Sequence, residues 1–296
     1  TLLPNSLSAY TREDKIYTLP LRVVIPMFMT SGQDQEVFST LEALVEYTEA
    51  EGGVANLLKY SHANVLQILY YNYKPDLIAK DGTVNREEVT NFFELVKRFC
   101  VAEGITEADV GTREYLLGNT MTGYFFAYGE VDLGFMIAGG LYELGTNPAA
   151  VESRGGELIN NKGIFFPNGL LGINRLSSGK ELSHLFIQYA FSYEVQNRSV
   201  SWTGYSIHKT VLEEFAKTDF SNHVIGDTVI KLRGFTAEES ARMVDVVRKV
   251  HEPVTIEGSV WEILLEVAGN YLSDKKGLDE SVDEFVSRLQ LYLYEQ

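Results

Sequence analysis

The chain has 296 residues, 45% of them hydrophobic, and its formal net charge at neutral pH is −16. This length is enough for one large or two modest hydrophobic cores. The acidic balance excludes the basic face that nucleic acid or an anionic lipid surface demands. The single cysteine, Cys100, excludes a disulfide within the chain and lies in a helical apolar pattern, which favours a buried structural thiol over a nucleophile.

The first half of the chain predicts one strand region followed by amphipathic helices. The segment Ile16–Met29 is apolar and β-branched and contains two prolines, which predicts a strand pair or a kinked edge strand. Ser39 and Glu42 form a capping-box pattern at the start of a helix. A second helix is predicted over about 54–73, and Asn85 caps a third. The apolar stripe of that third helix consists of Val89, Phe92, Phe93, Val96, Phe99 and Cys100.

The second half alternates predicted strands and helices, which indicates an α/β protein. Val131–Ala138 and Leu170–Asn174 are predicted strands, and a helix is predicted over Lys180–Val195. Two further helices are predicted over Val260–Leu272 and Leu278–Tyr294, the second with Val282, Phe285 and Leu289 on one apolar side. The helix at 180–195 has an apolar stripe that we expect to face a core, formed by Leu182, Leu185, Phe186 and Tyr189.

The segment Leu171–Phe215 carries the most specific pattern in the chain. A strand ends in Gly-Ile-Asn and is followed by Ser-x-x-Lys-Glu at Ser177–Glu181, and the next helix ends in Glu-x-Gln at Glu194–Gln196. This order resembles the extracellular solute-binding proteins of ABC importers, specifically the carbohydrate type related to maltose-binding protein.

Four shorter matches to the same family occur in the family's order along the chain. Asp14–Pro20 resembles Gly-Lys-x-Tyr-x-x-Pro, with Asp14 in the place of the glycine. Ser39–Glu42 resembles Ser-Trp-x-Glu, although the chain has no Trp there. Phe126–Leu133 resembles Phe-x-x-Gly-Lys-x-x-Met, and Val286–Glu295 resembles the closing helix of binding lipoproteins from Gram-positive bacteria.

The resemblance implies an α/β fold of the periplasmic-binding-protein-like type II class, with two lobes and connections that cross between them. By this alignment residues 1–147 form the first part of the second lobe, 148–201 return to the first lobe, and 202–296 complete the second lobe with the C-terminal helices. Most of the segment that builds the family's first lobe has no counterpart here. We therefore expect an incomplete first lobe that is completed by a further N-terminal fragment or by another chain, or that is partly rearranged.

Two tryptophans are candidate ligand contacts. Trp261 aligns, by the resemblance, with a tryptophan that stacks on sugar, and a flat ring face suits a pyranose. A core position on the helical stripe explains Trp261 equally well. Trp202 and Tyr205 flank a glycine at the predicted crossing between lobes, where aromatic rings would reach a ligand or simply pack at a hinge.

Five other residues are candidates by position. Gly140 and Tyr142 follow a buried strand, and ligands of open α/β sheets bind beyond strand ends, although an ordinary turn also fits. Ser61 and His62 lie near the sugar contacts of maltose-binding protein, but a surface histidine is the commoner interpretation. Arg22 would pair with an anionic ligand group or be held in an ion pair.

The implied function is non-catalytic capture of a carbohydrate and its delivery to an ABC import permease. We expect a cell-surface lipoprotein outside the cytoplasm, whose signal and lipidated cysteine lie outside these residues. We also expect self-association through the incomplete first lobe. No metal site, cofactor motif or catalytic motif is present in the sequence. The alternatives are a secreted carbohydrate-active hydrolase, and a non-transporting interaction or sensor module on the same fold.

Overall fold

The computed structural model describes residues 2–30, 35–53, 60–79, 81–107, 133–138, 157–198, 204–217, 222–225, 228–231 and 236–295. The described helices, in chain order, are α1 (Pro4–Ala9), α2 (Leu41–Glu51), α3 (His62–Tyr73), α4 (Arg86–Ala102), α5 (Lys180–Ala190), α6 (Tyr193–Arg198), α7 (Lys209–Phe215), α8 (Ala237–Lys249), α9 (Gly258–Leu272) and α10 (Leu278–Tyr294). The described strands are β1 (Thr11–Arg12), β2 (Lys15–Ile16), β3 (Thr18–Thr30), β4 (Leu133–Ala138), β5 (Glu157–Ile159), β6 (Ile164–Gly172), β7 (Tyr205–Ser206), β8 (Asn222–Ile225), β9 (Thr228–Lys231) and β10 (Glu252–Pro253).

The chain divides into two compact units. The first contains Thr1–Met27, Ile137–Glu152 and Lys162–Val254, and the second contains Phe28–Met136, Ser153–Asn161 and Thr255–Gln296. Each unit is therefore built from three separate stretches of sequence. The lobe division predicted with boundaries near residues 147 and 201 stays a prediction.

In the first unit the sheet is organised around β3. This strand pairs antiparallel with β6, with Thr18 opposite Gly172 and Val24 opposite Phe166, and β6 pairs parallel with β10. The short strand β7 also pairs with β3, at Arg22 and Val23. The prediction at Ile16–Met29 allowed a pair of strands, but the structure has one long strand here with both prolines inside it.

The second unit is mainly helical and contains a large aromatic and aliphatic core. The predicted stripe on α4 is buried along its whole length, from Val89 to Cys100. Phe93 on α4 packs edge-on against Phe285 on α10, with ring centroids 5.7 Å apart, and stacks on Tyr271 of α9. The periodicity of α4 and α10 therefore identified the core of this unit correctly.

The helix ends of the second unit follow local capping chemistry. Asn85 caps α4 as predicted, since its Oδ1 accepts a hydrogen bond from Glu88 N at 3.3 Å. The cap of α2 is Thr40, one residue after the predicted Ser39, and its hydroxyl accepts from Ala43 N at 3.1 Å. Gly52 ends α2 in the left-handed conformation at φ 69°, which a residue with a Cβ rarely adopts.

Removal of the Phe285 ring should strongly destabilise the second unit. Phe285→Ala deletes a fully buried ring and leaves a cavity against Phe93. We expect the free energy of unfolding to fall by about 3–5 kcal/mol, measured by urea denaturation. The matched control is Leu291→Ala on the same helix, which is 61% exposed and should change stability by less than about 0.5 kcal/mol. Equal losses from the two variants would contradict this packing.

Candidate functional site

Trp261 lies in the first turn of α9, close to an exposed helix end. The N-cap of α9 is Glu257, and Trp261 N donates to the Glu257 carbonyl at 2.9 Å. The indole is half-buried, so part of the side chain meets solvent. It stacks on the ring of Tyr71, with centroids 5.9 Å apart and an interplanar angle of 16°, and it contacts Tyr70 at 5.9 Å and 59°. Trp261, Tyr70 and Tyr71 are called the aromatic cluster below.

The two tyrosines of the aromatic cluster have different surroundings because consecutive residues on a helix point about 100° apart. Tyr70 is buried and packs edge-on against Phe92 of α4 at 6.2 Å. Tyr71 is half-buried, and its hydroxyl accepts a hydrogen bond from Gln67 Nε2 at 3.3 Å. The buried tyrosine therefore anchors the cluster, while Tyr71 and Trp261 form its partly exposed part.

Two tyrosines of the second unit, Tyr70 and Tyr292, have raised pKa values. Burial raises the pKa of Tyr70 to about 12, with smaller contributions from Tyr71 and Asp76. A hydrogen bond to Glu257, the N-cap residue of α9, raises the pKa of Tyr292. The phenol of Tyr292 and the carboxylate of Glu257 are therefore already paired with each other. The flat apolar face of the indole suits a sugar ring.

Ser61 and His62 lie at the other end of α3 from the tyrosines. Tyr71 follows His62 by nine positions, or about 13–14 Å along the helix. Ser61 is the N-cap, and its hydroxyl accepts from Asn64 N at 3.3 Å while Asn64 Oδ1 accepts from Ser61 N at 3.2 Å. Ser61 therefore has a structural role in the described conformation.

The ring of His62 is buried. Its Nε2 lies 3.3 Å from the carbonyl oxygen of Ile105, and because a carbonyl only accepts, the proton of the neutral ring lies on Nε2. Within the described part of the chain, Nδ1 has no hydrogen-bond partner. Neither Ser61 nor His62 is brought next to Trp261 along α3.

Arg22 and Tyr205 belong to the first unit and are both buried there. The Arg22 guanidinium donates from Nη2 to the Gln196 carbonyl at 2.7 Å and from Nη1 to the Gly204 carbonyl at 3.1 Å. Burial lowers the pKa of Arg22. The Tyr205 ring is fully buried and packs edge-on against Phe215 at 6.3 Å. Both side chains have internal partners, so a ligand contact at either one would require the core to open.

The remaining predicted ligand residues, Trp202, Gly140 and Tyr142, lie outside the described residues. Their ligand-binding role stays a prediction. Sequence reasoning missed Tyr71, whose signal is the Tyr-Tyr pair near the end of a helix. Consecutive residues on a helix point about 100° apart, which lets one ring of such a pair reach the surface, although Phe92 and Phe93 on α4 are both buried.

A surface groove of about 560 Å³ also lies in the second unit, lined by Glu49, Glu94, Lys97, Arg98, Val101, Ala102 and Tyr271. Three of its four charged groups, Glu49, Lys97 and Arg98, are paired with one another or with a neighbour. Arg98 donates to both carboxylate oxygens of Glu49, at 2.9 and 2.7 Å. The Lys97 ammonium lies 2.5 Å from Asp274 and 4.4 Å from the centroid of the Tyr271 ring. Because these three groups are already paired, we favour the aromatic cluster as the site.

Metal binding needs a cluster of ligating side chains and hydrolysis a pair of carboxyl groups, and two observations in the described ranges bear on these needs. Those ranges contain no group of three or more His, Cys, Asp or Glu side chains that would hold a metal ion. The neighbouring carboxylates Glu266 and Glu284 both bind Arg288, at 2.7 and 3.2 Å. Hydrogen bonds from Arg288 and Lys276 lower the pKa of these two carboxyls, so both are ionised and neither is a general acid.

The single cysteine thiol is also unreactive as a nucleophile because it is buried. Cys100 is buried on α4, and burial raises its pKa to about 12, so the nucleophilic thiolate does not form at neutral pH. Among the described residues, no helix combines the length and the apolar character that a membrane crossing requires.

No family profile and no curated protein matches the sequence, but solved structures match its fold. A putative oligosaccharide periplasmic-binding protein from Synechococcus sp. MITs9220 aligns with TM-score 0.56 and 11% identity, over 99% of this chain and 77% of that one. A Streptococcus pneumoniae solute-binding protein in complex with the blood group A-trisaccharide aligns with TM-score 0.52 and 12% identity, over 97% and 75%. Maltose-bound T. maritima MalE3 aligns with TM-score 0.52 and 13% identity, over 98% and 76%.

These similarities confirm the predicted fold class. The chain has the type II periplasmic-binding-protein-like α/β fold, which the three solved structures above share. A designed cysteine esterase also aligns, with TM-score 0.50, so the fold alone does not define the chemistry. The chain spans about three quarters of the length of these proteins, in agreement with an incomplete lobe.

Loss of the Arg22 guanidinium should cost stability and leave ligand affinity unchanged. Arg22→Met leaves two buried carbonyl acceptors without a donor, and hydrogen bonds to charged groups contribute about 1.5–3 kcal/mol each. We expect the free energy of unfolding to fall by about 3 kcal/mol in urea denaturation. Arg86→Met is the control, because its ion pair with Asp283 is exposed and worth at most about 1 kcal/mol. If the Arg22 variant had normal stability but no longer bound ligand, this prediction would be wrong and Arg22 would be a ligand contact.

Proposed function

We propose that this protein binds a carbohydrate at the aromatic cluster and releases it chemically unchanged. The observation that carries the proposal is the stacked, half-buried pair of Trp261 and Tyr71 on a buried tyrosine. The axial C–H groups of a pyranose form an apolar face that packs on such a ring, while its hydroxyls remain available at the rim. The fold-level relatives include proteins solved with a blood group trisaccharide and with maltose, which supports a saccharide as the ligand class.

The cluster is suited to binding because its rings are already held in place. Tyr70 packs against both Phe92 and the indole, and Gln67 fixes the Tyr71 hydroxyl. A ring that is ordered before binding loses little conformational entropy when the ligand arrives. Glu257 and Tyr292 are hydrogen-bonded to each other at the start of α9, so a sugar hydroxyl that used either group would exchange with that bond. We therefore expect orientation to come from hydrogen bonds and affinity from the indole face.

The biological role that we propose is that of a solute-binding protein which delivers its ligand to an ABC import permease. The fold relatives include periplasmic binding proteins, which supports a location outside the cytoplasm. Attachment as a lipoprotein of a Gram-positive bacterium and a permease partner are parts of this proposal. Self-association through the incomplete first lobe stays a separate expectation.

Of the two alternatives, the interaction module has an observation in its favour. A hydrolase would need one protonated carboxylic acid opposite a second carboxylate, whereas Glu266 and Glu284 are both ionised by their cations. An interaction module would present an exposed apolar surface, and α5 has one, since Leu182, Leu185, Phe186 and Tyr189 are all exposed. The two roles are compatible, because the aromatic cluster and α5 belong to different units.

Substitution of Trp261 tests the proposed site directly. Isothermal titration against maltose, maltotriose and the blood group A-trisaccharide should detect binding to the natural chain. Trp261→Ala should weaken binding by about 2 kcal/mol or more, roughly 30-fold, as for a buried tryptophan at the centre of an interface. Trp261→Phe should retain most of the affinity, because it keeps a ring face against Tyr71.

The control for this experiment is Tyr294→Ala, which removes an exposed ring at the end of α10 and should leave affinity unchanged. Thermal unfolding of each variant is also measured with and without ligand, since specific binding raises apparent stability by about 2.7 kcal/mol at a hundredfold excess over Kd. No binding of any saccharide, together with binding of amino acids or peptides, would overturn the ligand class. A Trp261→Ala chain that binds sugar normally would overturn the site.

A further inference from the structure

The start of α9, which carries the indole of the aromatic cluster, also carries two carboxylates. Glu262 follows Trp261 directly and is exposed. Glu257 is the N-cap residue one turn earlier, and its carbonyl accepts a hydrogen bond from Trp261 N at 2.9 Å. The hydrogen bond that Glu257 accepts from Tyr292 leaves the charge of the carboxylate in place. Both carboxylates therefore belong to residues within about one helical turn, or about 5–6 Å, of Trp261.

A third carboxylate follows the end of α3, the helix that carries the two tyrosines of the cluster. Lys74 N donates to the Tyr70 carbonyl at 2.7 Å, so the chain turns back toward the last turn of α3. Asp76 comes two positions later and is exposed, and its charge adds to the effect of burial in raising the pKa of Tyr70. The helix ends at Tyr73, and its C-terminal partial negative charge lies within one turn of Tyr71. The α3 side of the cluster therefore also carries negative charge.

Positive charge is scarce on the two helices that form the cluster. Neither α3 nor α9 contains a lysine or an arginine. Lys74, the residue that caps α3, is the nearest cation along the chain. The positive end of the α9 dipole is met by Glu257, whose side chain accepts from Ser259 N at 3.5 Å. The three carboxylates thus outnumber the one ammonium group, and the net charge of −16 on the whole chain adds to the negative potential.

We propose that the saccharide bound at the aromatic cluster is an amino sugar with a protonated amine, taken in preference to a neutral sugar of the same shape. This inference rests on the function proposed above and names the class of its ligand. The apolar face of the pyranose packs on the indole of Trp261, as it would for a neutral sugar. The ammonium group lies at the rim, in the field of Asp76, Glu257 and Glu262.

An ammonium group gains affinity at such a rim in two ways. Its Coulomb attraction to one carboxylate about 6 Å away in water corresponds to about a threefold change in affinity. The excess of two negative charges therefore gives about a tenfold preference at low salt. A cation near the face of a tryptophan or tyrosine ring is also attracted by the ring quadrupole. A sugar that carries a carboxylate meets the opposite field and should bind less tightly than the neutral sugar.

A matched set of disaccharides tests the proposal. Cellobiose, the glucosamine disaccharide of chitosan and N,N′-diacetylchitobiose share one skeleton and differ only at C2, and cellobiouronic acid carries a carboxylate in place of one hydroxymethyl group. Isothermal titration at about pH 6 keeps the sugar amine protonated. At about 10 mM salt, the glucosamine disaccharide should bind about tenfold more tightly than the two neutral disaccharides, and cellobiouronic acid should bind most weakly. At about 150 mM salt these differences should shrink, because the Debye length falls from about 30 Å to about 8 Å.

Two substitutions remove single charges from the rim without changing the size of the side chain. Glu262→Gln and Asp76→Asn both alter exposed residues. Each should reduce the ratio of the affinities for the glucosamine disaccharide and for cellobiose about threefold at low salt. A ratio that stays at its natural value in both variants would overturn the proposal.

The matched control is Glu51→Gln at the end of α2. Glu51 is exposed, and Gly53, two positions later, lies against the Ala102 carbonyl. Ala102 follows Phe92, the ring that packs on Tyr70, by ten positions, or about 15 Å along α4. This variant should keep the affinity ratio of the natural chain.

Trp261→Ala separates binding at the cluster from general attraction of a cation to an acidic protein. It should weaken binding of cellobiose and of the glucosamine disaccharide alike. An amino sugar that bound this variant as tightly as the natural chain would overturn the proposal. If the natural chain bound cellobiose or maltose at Trp261 as tightly as the amino sugar, the preference would be wrong while the proposed function stood. If none of these saccharides bound, the proposed function would fail together with the preference.

Discussion

A buried polar network centred on Gln196 organises the first unit. Its carbonyl accepts from Arg22 on β3, its side-chain oxygen accepts from Ser206 on β7 at 2.6 Å, and its Nε2 donates to Ala190 at the end of α5. Three elements that are distant in the sequence thus meet at one glutamine. Polar groups in such a site must all be paired, because each unpaired one costs about 1–3 kcal/mol. This requirement holds β3, β7 and the C-terminal end of α5 together.

The second unit is organised by apolar packing, whereas the network around Gln196 in the first unit consists of hydrogen bonds. Rings from α3, α4, α9 and α10 form its core, and the aromatic cluster is where that core reaches the surface at Trp261. A binding surface that continues a rigid core is ordered without a ligand. The proposed site and the stability of the unit consequently depend on the same packing, with Tyr70 shared between them.

The sequence was most informative where the apolar stripe of a helix was covered by the core of the same unit. The stripes of α4 and α10 faced a core as predicted, and Asn85 capped α4, because helix period and capping are local properties. The stripe of α5 was assigned to a core, and that prediction was wrong for the described structure. Periodicity shows that a helix has an apolar face, but it does not show whether polypeptide covers that face. His62 was expected at the surface and Tyr205 either at a ligand or packed at a hinge; both are buried, because burial depends on distant partners such as Ile105 and Phe215.

The scarcity of tryptophan in the chain gives the aromatic cluster a further property. The sequence has only two tryptophans, at 202 and 261, and the second one stacks on Tyr71 within van der Waals reach of Tyr70. An indole half in contact with water has an emission spectrum that depends on whether that water stays. A chain with phenylalanine at position 202 would therefore carry a single tryptophan, whose emission can be excited apart from that of the tyrosines, at the surface where a sugar would displace solvent. The protein would report occupancy of its own site by light emission, without any attached dye.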